Sequence, residues 1–229
     1  MRPGLSFAAY GRTKIMKKCD KKQAGFSILE LMVAMTIIII VLGLVMTLFG
    51  RSLNTRQLES SRTDALTAAQ AALNVISREI ANSGYGLKLE ADGIADNGLV
   101  EPDSDRQTIH FRANTTNDNI ELTDPGEDVT YYFEPATQSI LRYDENGGGA
   151  GVPQTSIVIN RISSLEFEYH DYSGANPVPT VDVVPTASTG RVRVTVTVNL
   201  ERVDRAAAQS VVLVSDVTLR NSEYMLQQY

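Results

Sequence analysis

The sequence has very little cysteine, and its only thiol lies close to the N-terminus. Of 229 residues, one is cysteine (Cys19) and none is tryptophan. The chain after position 25 therefore cannot form an intrachain disulfide, which excludes a small disulfide-built scaffold. A lipoprotein anchor at Cys19 is disfavoured too, because the preceding residues "KIMKK" are not the small residues of a lipoprotein cleavage box.

Basic charge is scarce in most of the chain. Residues 1 to 25 contain seven lysines and arginines and one acid, whereas the remainder contains 14 basic and 26 acidic side chains. An acidic body has no basic face with which to neutralise phosphates, so nucleic acid is excluded as a partner. A basic N-terminal end is instead typical of a signal that sets membrane orientation.

Motifs of catalysis are also missing. The two histidines, His110 and His170, sit in strand-like patterns, and there is no G-x-S-x-G or H-E-x-x-H. We therefore predict a protein that is not an enzyme and has no organic cofactor. Two acidic clusters in loops are weak Ca²⁺ candidates, although neither has the spacing of a twelve-residue calcium loop, and solvated turns are favoured. They consist of Asp103 and Asp105, and of Asp124, Glu127 and Asp128.

The most informative feature is a long apolar run. Between Phe26 and Phe49 only Glu30, Ser27, Thr36 and Thr47 are polar. A helix of this length spans ~36 Å, which is enough for a bilayer core of ~30 Å. Because the basic residues precede the run, we predict a single pass with the N-terminus in the cytoplasm and the body outside.

Two ordinary explanations of this run are a cleaved secretory signal and a simple signal anchor. A secretory signal has a shorter apolar core and an A-x-A-like site, whereas "FGRSLNTRQ" follows here. A signal anchor does not favour the acid Glu30, since a carboxylate costs about 2.5–3.5 kcal/mol at the centre of a span and less near its ends. Such a residue normally has a partner.

"KKQAGFSILELMVAM" resembles the class III signal of type IV pilins and pseudopilins. The resemblance implies that prepilin peptidase in a bacterial inner membrane cleaves between Gly25 and Phe26 and methylates the new amine of Phe26. It further implies that Glu30 pairs with this amine in a neighbouring subunit during filament assembly. Opposite charges in lipid attract strongly, so such pairing selects one axial register. The alternative is that Glu30 only snorkels to the headgroups.

A helical pattern continues beyond the apolar run. Residues spaced three and four apart form an apolar stripe along one helix face, which we expect to pack on the rest of the domain. The helix is predicted to end near Ser83, where Asn82 and Gly84 are helix-stop residues. "SREIANSGYGL" resembles the helix end of PilW-type minor pilins and J-type pseudopilins, and Tyr85 is expected to fold back onto the domain. The stripe is Leu66, Ala69, Leu73, Ile76 and Ile80.

From residue 107 onward the apolar period changes from 3.6 to 2. The clearest cases are "RVRVTVTVNL" and "SLEFEYHDY", and "VTYYFE" with "SILRYD" predicts a hairpin. Because strands with one apolar face need a cover, we predict an α+β fold, with a long helix packed on an antiparallel sheet. The predicted organisation is a leader at 1–25, a helix at 26–84 that crosses the membrane at about 26–49, and a β-rich periplasmic or extracellular domain at 85–229.

These patterns, together with the resemblance, predict a minor pilin that primes or caps a type IV pilus. Its expected partners are prepilin peptidase, other minor and major pilins or pseudopilins, and inner-membrane lipid. A J-type pseudopilin at the tip of a type II secretion system has the same anchor and remains an alternative. A single-pass membrane protein whose β-domain binds a ligand or a surface is the alternative from another class.

Overall fold

A computed structural model describes residues 25–87, 96–116, 121–172, 178–200 and 209–226. Most of the predicted leader and Cys19 lie outside these residues. The described chain forms one long helix, a short 3₁₀ turn, eight antiparallel strands and a terminal helical turn. In chain order these are α1 (Ile28–Ala81), the 3₁₀ turn (Glu101–Asp103), β1 (Thr108–Arg112), β2 (Asp128–Glu134), β3 (Ser139–Asp144), β4 (Gln154–Ile159), β5 (Ile162–Asp171), β6 (Thr180–Asp182), β7 (Thr189–Leu200), β8 (Gln209–Thr218) and α2 (Glu223–Leu226).

Helix α1 begins at Ile28 and ends at Ala81, two to three residues inside the predicted limits. No proline interrupts it, so every amide after the first turn can donate within the helix. The chain divides into two compact units, and the division falls inside this helix, between Arg51 and Ser52. The second half of α1 therefore belongs to the globular unit with the strands.

The strands form two four-stranded sheets. The first sheet has the order β1-β2-β3-β4. The second has the order β6-β5-β7-β8, in which β5 lies between β6 and β7. The prediction of an α+β fold with a helix packed on antiparallel strands is confirmed. The sequence pattern gave no sign that the strands divide into two sheets, and it gave no sign of the short strand β6.

A single apolar core joins the helix to both sheets. Alternate residues of β7 are buried, as are those of β5, so each of these strands turns one face inward. From α1, Ala69, Leu73, Ile76 and Ile80 are buried, and Ala72 joins them, whereas Leu66 is only half-buried. Residues of the first sheet complete the core; they include Ile109, Phe111, Val129, Tyr131 and Ile140.

The end of α1 is fixed by close backbone contacts. Gly84 has φ +77°, a left-handed conformation that ends the helix, and its amide donates to the carbonyl of Arg112 (2.9 Å). The buried side chain of Asn97 donates to the carbonyls of Thr186 and Thr189 at 2.9 and 3.1 Å. Ser83 Oγ in turn donates to the carbonyl of Asn97, so the helix end is tied to β1 of the first sheet and, through Asn97, to the start of β7 in the second sheet. Tyr85 was expected to fold back onto the domain, but its side chain is 49% exposed and only its backbone makes the connection.

A polar bridge connects α1 to the first sheet. Glu79 Oε2 accepts hydrogen bonds from Tyr131 Oη (2.9 Å) and from Arg142 Nε (3.0 Å). Arg142 also donates to Asp144 Oδ2 at 2.9 Å. Burial and the charge of Glu79 raise the pKa of Tyr131 well above its usual range, so this hydroxyl remains a donor. The bridge fixes the axial position of the helix on the sheet, which apolar packing alone leaves less defined.

We expect Glu79→Ala to lower the free energy of unfolding by about 1–2 kcal/mol, because it leaves Tyr131 Oη and Arg142 Nε without their acceptor. The matched control is Glu59→Ala on the same helix. The Glu59 side chain is 62% exposed and pairs with Arg62 three residues away, so its loss should cost about 0.5 kcal/mol or less. Urea unfolding of the full chain in detergent measures both. Equal effects of the two substitutions would contradict a structural role for the bridge.

Candidate processing and assembly site

The predicted cleavage bond lies just before the helix. Gly25, Phe26 and Ser27 are outside α1, and the Ser27 carbonyl accepts the hydrogen bond of the Leu31 amide (3.1 Å). Phe26 is 81% exposed, and among the described residues no atom lies within 4 Å of the position that a Cβ of Gly25 would take. The peptide bond between Gly25 and Phe26 is therefore open to a protease, and a residue without Cβ suits a narrow protease cleft.

Glu30 lies in the first turn of α1 and is exposed. An acid in this position is favoured by the helix dipole, whose positive end is at the N-terminus. Among residues 25–87 and the other described segments, Glu30 forms no salt bridge. It lines a shallow concavity on the helix surface together with Ser27, Ala34 and Ile37. Small residues beside a carboxylate allow another helix to approach closely.

The rest of the first helix half presents apolar surface in every direction. Its large apolar residues from Ile28 to Phe49 are 51–80% exposed in the isolated chain. The two threonines in this stretch satisfy their hydroxyls within the helix: Thr36 donates to the carbonyl of Val33 and Thr47 to that of Leu44, both at 2.8 Å. Between Ile28 and Gly50, Glu30 is the one ionisable side chain in the sequence.

This segment also matches a known family. The chain carries the prokaryotic N-terminal methylation motif. The match covers residues 20–46, which include Gly25, Phe26 and Glu30. No curated protein matches the chain. The motif supports a place in the type IV pilin and pseudopilin superfamily, and it implies processing by prepilin peptidase and assembly with other pilins.

The helix length and composition agree with this motif. Helix α1 contains a window that is long and apolar enough to cross a membrane, and none of that window is buried within the chain. Together with the motif, it suggests single-pass membrane anchoring. The motif and the pilin-like fold also suggest a structural subunit rather than an enzyme.

The globular unit contains a charged cluster that the sequence did not reveal. The ring of His110 lies between two carboxylates, with Nδ1 3.1 Å from Asp103 Oδ2 and Nε2 2.5 Å from Asp128 Oδ1. Arg112 donates to the other oxygen of Asp128 at 2.8 Å. In sequence, His110 was only one of two histidines in strand patterns. It meets Asp128 because the antiparallel register of β1 and β2 brings them to neighbouring positions.

The carboxylates of the two candidate calcium clusters make contacts within the protein. Asp103 and Asp128 flank His110, and Asp105 accepts the amides of Gln107 and Thr108. Glu127 is buried and accepts the amide and hydroxyl of Thr116 and the amide of Asp124. Within the described segments, no group of three or more His, Cys, Asp or Glu side chains is arranged to hold a metal ion. Most of these carboxylates thus already accept hydrogen bonds from the protein.

We expect His110 to make the folded state less stable as pH rises above about 6.5. Burial lowers the pKa of His110, but hydrogen bonds with Asp128 and Asp103 and the charge of Asp128 outweigh it, so the pKa lies above the ordinary 6.5. A raised pKa means that the folded state holds the proton more tightly. Its stabilisation is complete below pH 6.5 and is lost as pH passes the folded pKa. His110→Asn should remove this decrease from urea unfolding measured between pH 5 and 9.

The pKa of His170 is shifted in the opposite direction from that of His110, so His170 serves as an internal control. Burial and the charges of Arg191 and Arg193 lower the pKa of His170 below 6.5. Its stabilisation is therefore complete above pH 6.5 and is lost as pH falls through the folded pKa. NMR titration of the two imidazoles measures both directions at once. A pKa of His110 below that of His170 would contradict the arrangement described here.

Proposed function

We propose that this protein is a minor pilin of the PilW type, which primes or caps a type IV pilus after prepilin peptidase removes the leader. The observation that carries the proposal is the methylation motif at residues 20–46, which opens an exposed apolar helix. The second half of the same helix is built into a β-rich unit by Ala69, Leu73 and Ile76. A subunit with this form can be stored in a membrane and then withdrawn as a whole.

The physical basis of assembly is the exchange of lipid for protein around the first helix half. In the membrane its apolar residues contact acyl chains, and in a filament they contact other helices, so apolar burial is kept while packing partners are gained. The carboxylate of Glu30 differs from the other residues, because lipid offers it no counter-charge. Cleavage before Phe26 creates an amine on the residue four positions before Glu30, close to the N-terminal end of α1. The amine of one subunit then pairs with Glu30 of a neighbour and fixes the axial register.

The test of this function is whether cleavage controls release from the membrane. We expect Gly25→Leu to retain the leader and to be absent from filaments sheared from the cell surface, while the chain remains in the membrane. Gly43→Ala is the matched control: it also has no atom within 4 Å of its Cβ position, so it should be processed and released normally. Recovery of the Gly25→Leu chain in sheared filaments, with its leader intact, would contradict the proposal.

A second experiment separates the pilus from the alternative place in a type II secretion system. Deletion of this chain should reduce surface pili and leave secreted enzymes in the medium unchanged. The opposite result would assign it as a J-type pseudopilin. If neither pili nor secretion changes and the leader is retained, the chain is a single-pass membrane protein of the ligand- or surface-binding class.

A further inference from the structure

Strand β8 leaves an open edge on the second sheet. It pairs with β7 over ten consecutive residues from Gln209 to Thr218, without a bulge, and among the described residues no strand pairs with its other edge. Exposed edges are normally protected by proline, lysine, a bulge or an inward-pointing charge. The sequence "QSVVLVSDVT" has no proline or lysine, and its one charge, Asp216, already pairs with Arg193 (2.8 Å). Such an edge is a template for another strand.

The same strand exposes apolar side chains on its outer face. Val212 is 56% exposed and Val214 is 54% exposed. The inner face is partly covered by α1, since Ser77 Oγ donates to Ser215 Oγ at 3.0 Å and Arg62 donates to Gln209 Oε1 at 3.1 Å. The helix thus occupies one face of β8, and the edge and the two outer valines remain accessible.

We propose that β8 pairs with β8 of a second copy of this chain, in antiparallel orientation and centred on Leu213. In this register Val212 lies opposite Val214 of the partner subunit, so four valines form one apolar patch. The second sheet of one copy and the second sheet of the other then form one continuous sheet of eight strands. Asp216 lies opposite Ser210 of the partner subunit, so no like charges meet across the new pair.

The sequence of β8 favours a second copy over an unrelated strand. Val212 and Val214 flank Leu213 symmetrically, and a two-fold contact uses the same patch on both chains. When the two-fold axis passes through Leu213 and not between two residues, the outward-facing side chains of both β8 strands lie on the same face of the joined sheet. The α1 helices of both copies then pack on the opposite face.

The test is co-purification of two differently tagged full-length copies, which are co-expressed and purified together in detergent. Wild-type copies should co-purify. Val212→Lys combined with Val214→Lys in both copies should reduce co-purification at least tenfold, because like charges then face each other. The control is Val181→Lys on β6, the other edge of the sheet, where the valine is 55% exposed. It should co-purify as wild type does.

The register is tested by pairing a Val212→Glu copy with a Val214→Lys copy. The new carboxylate of one copy then faces the new ammonium of the other. Co-purification should therefore be near the wild-type level and well above that of the double-lysine copies. Because these positions are exposed, each variant should unfold at the wild-type urea concentration, which separates lost pairing from lost folding. Wild-type copies that do not co-purify, or lysine variants that still do, would overturn the proposal. Neither result depends on cleavage, so the test is independent of the proposed pilus function.

Discussion

Glu30→Ala is expected to leave cleavage between Gly25 and Phe26 largely intact and to reduce incorporation into filaments at least tenfold. The cleavage bond precedes the helix, whereas Glu30 lies within it, so the protease still meets the same segment. Assembly instead loses the carboxylate that receives the amine of Phe26. Opposite charges in a low-dielectric environment attract strongly, and a tenfold loss corresponds to only about 1.4 kcal/mol. The measurement is the ratio of this chain in sheared filaments to that in membranes.

Two further variants separate charge from other effects of this substitution. Glu30→Gln keeps the shape and polarity of the side chain but removes its charge, so it should behave as Glu30→Ala does. Thr36→Val removes another polar group from the same helix half, but its hydroxyl only bonds to the helix backbone, so incorporation should be unchanged. Normal incorporation of Glu30→Gln would show that charge pairing does not direct assembly.

Gly98→Ala is expected to lower the free energy of unfolding by about 3 kcal/mol or more. Gly98 has φ +77°, and a Cβ there would overlap the backbone amide of Gly84 and the carbonyl of Arg112, and would lie 2.7 Å from Ser83 Oγ. These backbone groups are already bonded: the Arg112 amide donates to Gly98 at 2.7 Å, and the Gly84 amide to Arg112 at 2.9 Å. Neither can move without breaking the end of α1.

The control for this prediction is Gly149→Ala. Gly149 also has a positive φ, +113°, but no atom lies within 4 Å of its Cβ position. It should therefore cost only the conformational strain of an L-residue, about 1–2 kcal/mol. Urea unfolding and the cellular amount of each variant measure the difference. Equal losses for the two glycines would mean that the backbone contact at the helix end contributes little.

Local periodicity was enough to predict much of the fold. The apolar stripe of α1 repeats every three to four residues, and β7 alternates strictly over "RVRVTVTVNL", so each pattern directly reflects which face meets the core. The candidate processing residues could also be named from the sequence, because Gly25, Phe26 and Glu30 lie within six positions of one another in the segment that carries the methylation motif. What the structure adds there is that all three are exposed.

Features that depend on long-range pairing were not predictable in the same way. The division into two sheets depends on β5 pairing with β7 and β6, and alternation within a strand does not identify its neighbour. The His110 cluster requires the register that places Asp128 beside the histidine, across 18 residues of sequence. The contact of Gly98 with Gly84 likewise depends on how two loops meet. In each case the deciding information is the pairing of distant segments.

We expect this chain to become a filament subunit when proteolysis creates a cation at Phe26. The most direct measurement is mass spectrometry of the intact protein and its N-terminal peptide, from cells with and without prepilin peptidase. With the peptidase, we predict a mature chain that begins at Phe26 and carries a methylated amine; without it, the leader remains. A mature protein that retains residues before Phe26 in peptidase-containing cells would contradict the account.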